Sequence, residues 1–171
     1  EYDVDLSGVG CGCLTALYGV LMPGLDNEED PFKYCGAGSS AKAACPEFDI
    51  MEANKFGFRG TSHKCEPPND DGIFSECDHR GQCTVDVLNN ENNVDMKDYG
   101  PGSEYSIDTT RLFSVRADYQ ESAGKWTAFT ITLTQDDNQI VRSAGDCTYL
   151  QPMSWQINKG MAFVLSNWAP K

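Results

Sequence analysis

The sequence predicts an all-β protein, a sandwich or jelly roll of antiparallel sheets. Three observations carry this: runs with a two-residue period recur along the chain, turn-forming residues separate them, and only one short stretch has a helical period. The runs are 2–6, 15–22, 47–53, 83–88, 104–109, 112–119, 126–134 and 161–166. Residues 2–6 place Tyr2, Val4 and Leu6 on one side and two aspartates on the other. Residues 15–22 and 161–166 are almost wholly apolar, whereas 47–53 carries acidic side chains among Phe48, Ile50 and Met51. In 83–88, Cys83, Val85 and Val87 alternate with Thr84 and Asp86, and in 126–134 threonines alternate with Phe129, Ile131 and Leu133. Turn chemistry lies at Pro23-Gly24, Asn69-Asp70-Asp71-Gly72, Gly100-Pro101-Gly102, Ala123-Gly124 and Asp136-Asp137-Asn138. One short helix is expected at 149–158, where Leu150, Met153 and Trp155 share a side and Pro152 limits it to a turn or two. Residues 25–45 and 55–82 read as long loops pinned by disulfides.

A length of 171 residues fits a single domain, 1–171, able to bury a core. The 13 Lys+Arg against 26 Asp+Glu give a formal charge of −13, which repels nucleic acid and anionic membrane surfaces and favours a neutral substrate or a cation. No run reaches the ~18 consecutive apolar residues of a membrane-spanning helix. Eight cysteines indicate an oxidising compartment, so a secreted protein is expected, and they allow 105 pairings. The start at Glu1 fits a mature secreted chain or a piece of a longer one.

The strongest chemical signal is Glu47-Phe48-Asp49-Ile50-Met51-Glu52, three carboxylates in a strand-like run. In a regular strand Glu47 and Asp49 share one face and Glu52 lies on the other, unless a bulge at Ile50 or Met51 turns it back. With the bulge, the two glutamates come within roughly 5–5.5 Å, the separation that suits a retaining glycosidase. Such an enzyme needs one carboxylate to attack the anomeric carbon and a second carboxyl to protonate the leaving oxygen, with a third group to keep them different. A solvated acidic face or a cation site would use the same residues.

The segment Glu47-Phe-Asp-Ile-Met-Glu52-Ala-Asn54, followed by Thr61-Ser-His63-Lys-Cys65, resembles the E-x-D-x-x-E-A-N and T-x-H-x-C signature of glycoside hydrolase family 7. The resemblance continues in order through Tyr2–Ser7, Cys11-Gly12, Ala16-Leu-Tyr18, Tyr99-Gly-Pro-Gly-Ser103, Ile107-Asp-Thr-Thr110 and Gly160–Trp168. It implies a concanavalin-like β-jelly roll, reduced or truncated, whose concave face holds a β-glucan such as cellulose. By position, Glu47 resembles the nucleophile, Asp49 its supporting carboxylate and Glu52 the acid/base. Tyr18, Asn54, His63 and Trp168 resemble substrate-binding positions, with aromatic faces suited to glucose rings. No cofactor or metal is implied. The acidic runs at 26–30 and 136–137 lack the EF-hand pattern, and no cysteine/histidine set has zinc spacing.

The family domain is implied to be more than twice this length, so missing strands would come from another segment or chain, and apolar surface is expected to be exposed. Leu14 stands where family members have asparagine, Gly36 where they have aspartate and Met51 where they have tryptophan. The Tyr-Arg-Leu-Gly segment that precedes Tyr99 in the family is absent. The loops are short, which by resemblance favours an endo-acting open cleft. Family analogy pairs Cys35 with Cys45 and Cys65 with Cys83, leaving Cys11, Cys13, Cys77 and Cys147. A non-catalytic glucan-binding protein and an incomplete fragment of a larger cellulase stay open as alternatives.

Overall fold

The computed structural model describes residues 1–38, 42–88 and 97–169. In chain order the strands are β1 (Tyr2–Val4), β2 (Leu14–Val20), β3 (Glu47–Asn54), β4 (Gly57–His63), β5 (Gln82–Asp86), β6 (Tyr99–Gly100), β7 (Ile107–Asp108), β8 (Phe113–Ser122), β9 (Lys125–Gln135), β10 (Asn138–Ser143) and β11 (Ala162–Trp168). A 3-10 turn at Thr148–Met153 runs into a short helix, α1 (Ser154–Asn158). That is the expected helix, opened in 3-10 form with Pro152 inside it. None of the helices is long and apolar enough to cross a membrane, among the described residues.

Two antiparallel sheets carry the fold, in the orders β1-β8-β9-β10 and β11-β2-β3-β4-β5, and a small parallel pair, β6-β7, adds Tyr99 and Ile107 to the same core. The two-residue period explains why they pack face to face. On β9 the odd-numbered Phe129, Ile131 and Leu133 are fully buried, while the intervening threonines face out. On β3, Phe48, Met51 and Ala53 turn to the same core. Gly60 of β4 is needed at the closest approach: a Cβ there would sit 2.8 Å from both Ile131 and Phe129. A second apolar cluster, around Ala16, Tyr18, Val20 and Phe74, packs the long loops and their disulfides onto β2.

Three strands escaped the sequence reading. β4 fell inside an expected loop because its glycines and small polar residues obscure the period, yet Phe58, Thr61 and Ser62 are buried. β10 has little apolar content of its own and forms because the turn at Asp136-Asp137 folds it back onto β9. β6 is only two residues long. Conversely, the run 104–109 contributes only Ile107–Asp108, since a turn in which the Tyr105 N–H donates to Gly102 O takes up the residues before it.

The β8–β9 hairpin closes through Ala123-Gly124, both at positive φ (52° and 77°). Asn or Gly suits the first of these positions, and alanine there costs roughly 1 kcal/mol. Ala123→Asn is therefore expected to raise the melting temperature by about 2–4 °C. Calorimetry that shows an unchanged or lower midpoint would contradict this reading of the turn.

Three disulfides are present: Cys35–Cys45, Cys65–Cys77 and Cys83–Cys147. The first agrees with the expectation, but the Cys65–Cys83 pairing does not. Cys65 and Cys77 face each other across a local antiparallel bridge, flanked by hydrogen bonds from Glu66 N–H to Glu76 O and from Asp78 N–H to Lys64 O. Cys83 on β5 is thereby left to join Cys147 at the head of the 3-10 turn. Cys11 and Cys13 are free. Exposed apolar surface is present, as expected, and it lies on the edge strand β11, where Phe163 and Leu165 are 71% and 70% exposed.

Candidate active site

A single irregularity in β3 builds the site. Tyr18 of β2 pairs with Asp49 and Leu17 with Met51, so Ile50 has no partner in that register. The extra residue turns Ile50 and Met51 toward the core side and brings Glu52 back to the face that carries Glu47 and Asp49. All three carboxylates line one cavity of about 420 Å³ together with Leu14, Ala16, Tyr18, Tyr34 and Trp168. Tyr18 and Tyr34 join their hydroxyls at 2.9 Å. Trp168, opposite Leu14 on the edge strand, is 57% exposed, and its indole N–H donates to Ser166 Oγ (2.9 Å).

Each carboxylate is held differently. The Ala37 N–H donates to Glu47 Oε2 at 2.6 Å. Gly36 packs so closely that a Cβ there would lie 2.8 Å from that same oxygen. At the position where the resemblance implies aspartate, a close glycine precedes the backbone donor that holds Glu47. Asp49 is buried, and its Oδ2 lies 2.8 Å from His63 Nε2. His63 Nδ1 lies 2.9 Å from Asp78 O. A carbonyl only accepts, so Nδ1 carries a hydrogen, and Nε2 faces the Asp49 carboxyl. When His63 is protonated both nitrogens donate, so this geometry favours the imidazolium.

The electrostatics agree with that geometry. Burial pushes the His63 pKa down, but the Asp49 hydrogen bond, the Asp78 carbonyl and the charges of Asp49 and Glu47 together raise it. Glu47 is pushed up to about 7, first by burial and then by the Asp49 charge, against the opposing Ala37 N–H and His63. Glu52 is raised by burial and by Asp49, while His63 and Arg59 pull it back. The free site thus retains protons that isolated carboxyls would have lost.

Of the expected substrate contacts, Tyr18 and Trp168 line the cavity, and His63 stands behind Asp49. Asn54 is not among the lining residues. Its amide donates to Cys13 O (3.0 Å) and its Oδ1 accepts from Phe56 N–H (2.8 Å), which shapes the β3–β4 turn. Sequence reasoning missed Tyr34, Ala37 and Asp78. Their only signal was adjacency to cysteines, since each lies one or two residues from Cys35 or Cys77. The position of the absent Tyr-Arg-Leu-Gly segment falls largely outside the described residues.

Antiparallel sheets that gather three carboxyl groups over one face define a glycosidase-like arrangement. The model for glycosyl hydrolase family 7 matches residues 24–162, and the chain belongs to that family. It is 28% identical over 145 residues to endoglucanase type C of Fusarium oxysporum, a match that covers 70% of this chain and 34% of the relative. It superposes on an endoglucanase I complexed with cellobiose at a TM-score of 0.75 and 21% identity, covering 98% of this chain and 55% of the other. On a family 7 cellobiohydrolase from Daphnia pulex the TM-score is 0.77 at 24% identity, covering 99% of this chain and 56% of the other. These two structures show the jelly-roll fold. The chain spans about a third of the curated relative and somewhat over half of the solved ones, a larger share of the solved domain than the resemblance implied.

Proposed function

We propose that the chain carries the catalytic centre of a retaining β-1,4-glucan hydrolase that cleaves cellulose or a related β-glucan within the chain, in an open cleft. The observation that carries this reading is the bulge at Ile50. Without it Glu52 would face the core, and only one of the two required carboxyls would reach a bound sugar. Glu47 attacks the anomeric carbon while Glu52 gives its proton to the leaving glucosyl oxygen, so the glycosidic C–O bond breaks and a glycosyl ester on Glu47 forms. Glu52 then takes a proton from water, whose oxygen attacks the same carbon and releases Glu47. Asp49 and the Ala37 N–H orient Glu47, and Tyr18 and Trp168 offer faces to the sugar rings. His63 holds Asp49 from behind the site, and Asn54 shapes the β3–β4 turn. No cofactor enters these steps.

Three disulfides support secretion. One inter-sheet core supports a single domain over 1–171. The net charge of −13 disfavours nucleic acid and anionic membranes as partners. Further strands, from another segment or chain, would cover Phe163 and Leu165 beyond β11.

The test is hydrolysis of a fluorogenic β-cellobioside and of cellopentaose by the purified chain. Release is expected, with the β-anomer as the first product by NMR, and an initial α-anomer would exclude retention. Retention on amorphous cellulose with no product would make it a glucan-binding protein instead. Catalysis needs Glu47 ionised and Glu52 protonated, and burial and the Asp49 charge raise both carboxyls, so the kcat/KM profile should be displaced upward from the ordinary carboxylate range, with one limb near about 7 where Glu47 titrates. A profile whose limbs both lie in the ordinary carboxylate range, near about pH 4, would contradict this account of Glu47.

A further inference from the structure

Two adjacent residues outside the cavity reach both carboxylates of the Glu47/Asp49 pair by separate routes. Asp78 O accepts from His63 Nδ1, whose other nitrogen holds Asp49 Oδ2 (2.9 and 2.8 Å). The next residue, His79, places its Nδ1 2.6 Å from Ala37 O, and the N–H of Ala37 holds Glu47 Oε2 (2.6 Å). Ala37 is buried whereas His79 lies at the surface, so an outer side chain fixes an inner peptide. The segment is itself anchored. Cys77 is tied to Cys65, Asp78 Oδ1 caps the turn through the Arg80 and Gly81 N–H groups, and Asp78 Oδ2 accepts from Tyr149 OH (3.0 Å). The Tyr149 hydroxyl also accepts from the Lys64 N–H, next to His63 (2.9 Å).

We propose that Asp78 and His79 form a positioning clamp, anchored by Tyr149, that sets the orientation of Asp49 through His63 and of Glu47 through the Ala37 peptide. These are positioning residues, because none of the three lines the cavity. The clamp explains how Glu47 is oriented where the sequence offers glycine at 36 and alanine at 37: the Ala37 N–H holds the carboxylate, and the carbonyl of the same residue, on the next peptide unit, is held from outside. It also gives the loop between Cys65 and Cys83 a purpose, since its far end supplies the contact to both carboxylates. The charged and titratable groups facing His63 are Asp49, Glu47, Glu52 and Asp78. Those around Glu47 are Asp49, His63 and the Tyr34 hydroxyl, and those beside His79 are Asp26, Lys42 and Glu76.

His63 and His79 are the chain's two histidines, so ring resonances assign readily in NMR titrations. Tyr149→Phe removes one hydroxyl from a buried ring and is expected to lower the His63 midpoint and to cut kcat/KM by about threefold to tenfold, as for the loss of one hydrogen bond. At position 79, an asparagine amide can occupy the place of Nδ1, while glutamine keeps size and polarity but overshoots it. His79→Asn should therefore keep the wild-type Glu47 carboxyl midpoint, read by 13C NMR, and His79→Gln should raise it. The proposal is overturned if Tyr149→Phe lowers only the melting temperature with the His63 midpoint unmoved. It is equally overturned if the two His79 variants behave alike. The NMR midpoints need no turnover, so an inactive chain would count against the hydrolase reading and not against the clamp. The kcat/KM readout alone rests on that reading.

Discussion

Glu47→Gln is expected to reduce hydrolysis of a β-cellobioside by at least about 10³-fold, equivalent to roughly 4 kcal/mol of transition-state stabilisation, with the fold intact. The amide keeps the shape of the side chain and its place under the Ala37 N–H, but it cannot form the glycosyl ester. Glu52→Gln should behave differently. General acid assistance is worth about 10²–10⁴-fold, and it matters most for a poor leaving group. The loss should thus be large on cellopentaose and smaller on an aryl cellobioside whose leaving group departs unaided. Wild-type rates in both variants would remove Glu47 and Glu52 from the chemistry. Equal losses on both substrates in Glu52→Gln would remove it as the acid while leaving it in the site.

The second large effect is on stability, and it runs opposite to activity. The Glu47 carboxyl titrates near 7 in the folded chain instead of 4.5, so between those values the folded state holds a proton that the unfolded chain has released. Stability therefore falls as pH rises through this window, and the whole deficit persists above it. The upward shift on His63 acts in the same direction: its contribution is complete below the ordinary histidine value of 6.5 and is lost as pH rises through the folded value. Glu47→Gln removes the carboxyl part of this deficit. At pH 8 it should be more stable than wild type by on the order of 2 kcal/mol, about 4–8 °C in melting temperature for a chain of this size. At pH 4, where the wild-type carboxyl is already protonated, little difference is expected. A gain of the same size at both pH values would show that burial and charge crowding at Glu47 are not its source. On the proposed function, Glu47 is a catalytic group held at a cost to the fold, the usual compromise of an active site.

Much of this was readable in one dimension, for definite reasons. Alternation at Phe129, Ile131 and Leu133 identifies a half-buried strand because the period is local, and Ala123-Gly124 identifies a hairpin because the turn is two residues long. The strands that were missed are those whose reason to exist is elsewhere. β10 has Ile140 as its one buried apolar side chain and is defined by its partner β9, and Gly60 of β4 answers to Ile131 and Phe129 on the opposite sheet. The exchange of Cys65–Cys83 for Cys65–Cys77 has the same origin, since a local bridge across the loop, not the spacing in the chain, decides which sulfur lies nearest.

The sequence by itself determined the all-β class, the order of most strands and the presence of three carboxylates in one strand, because each depends on residues a few positions apart. Only the tertiary structure decided that Glu52 shares a face with Glu47 and Asp49, because the bulge at Ile50 is defined against β2. It alone decided that His63 stands between Asp49 and the Asp78 carbonyl, and that Ala37, Asp78 and Tyr149 bear on the site, because those contacts join residues from 10 to 85 positions apart. Residue types fix what chemistry is available, and long-range packing fixes which groups meet and how strongly each holds its proton.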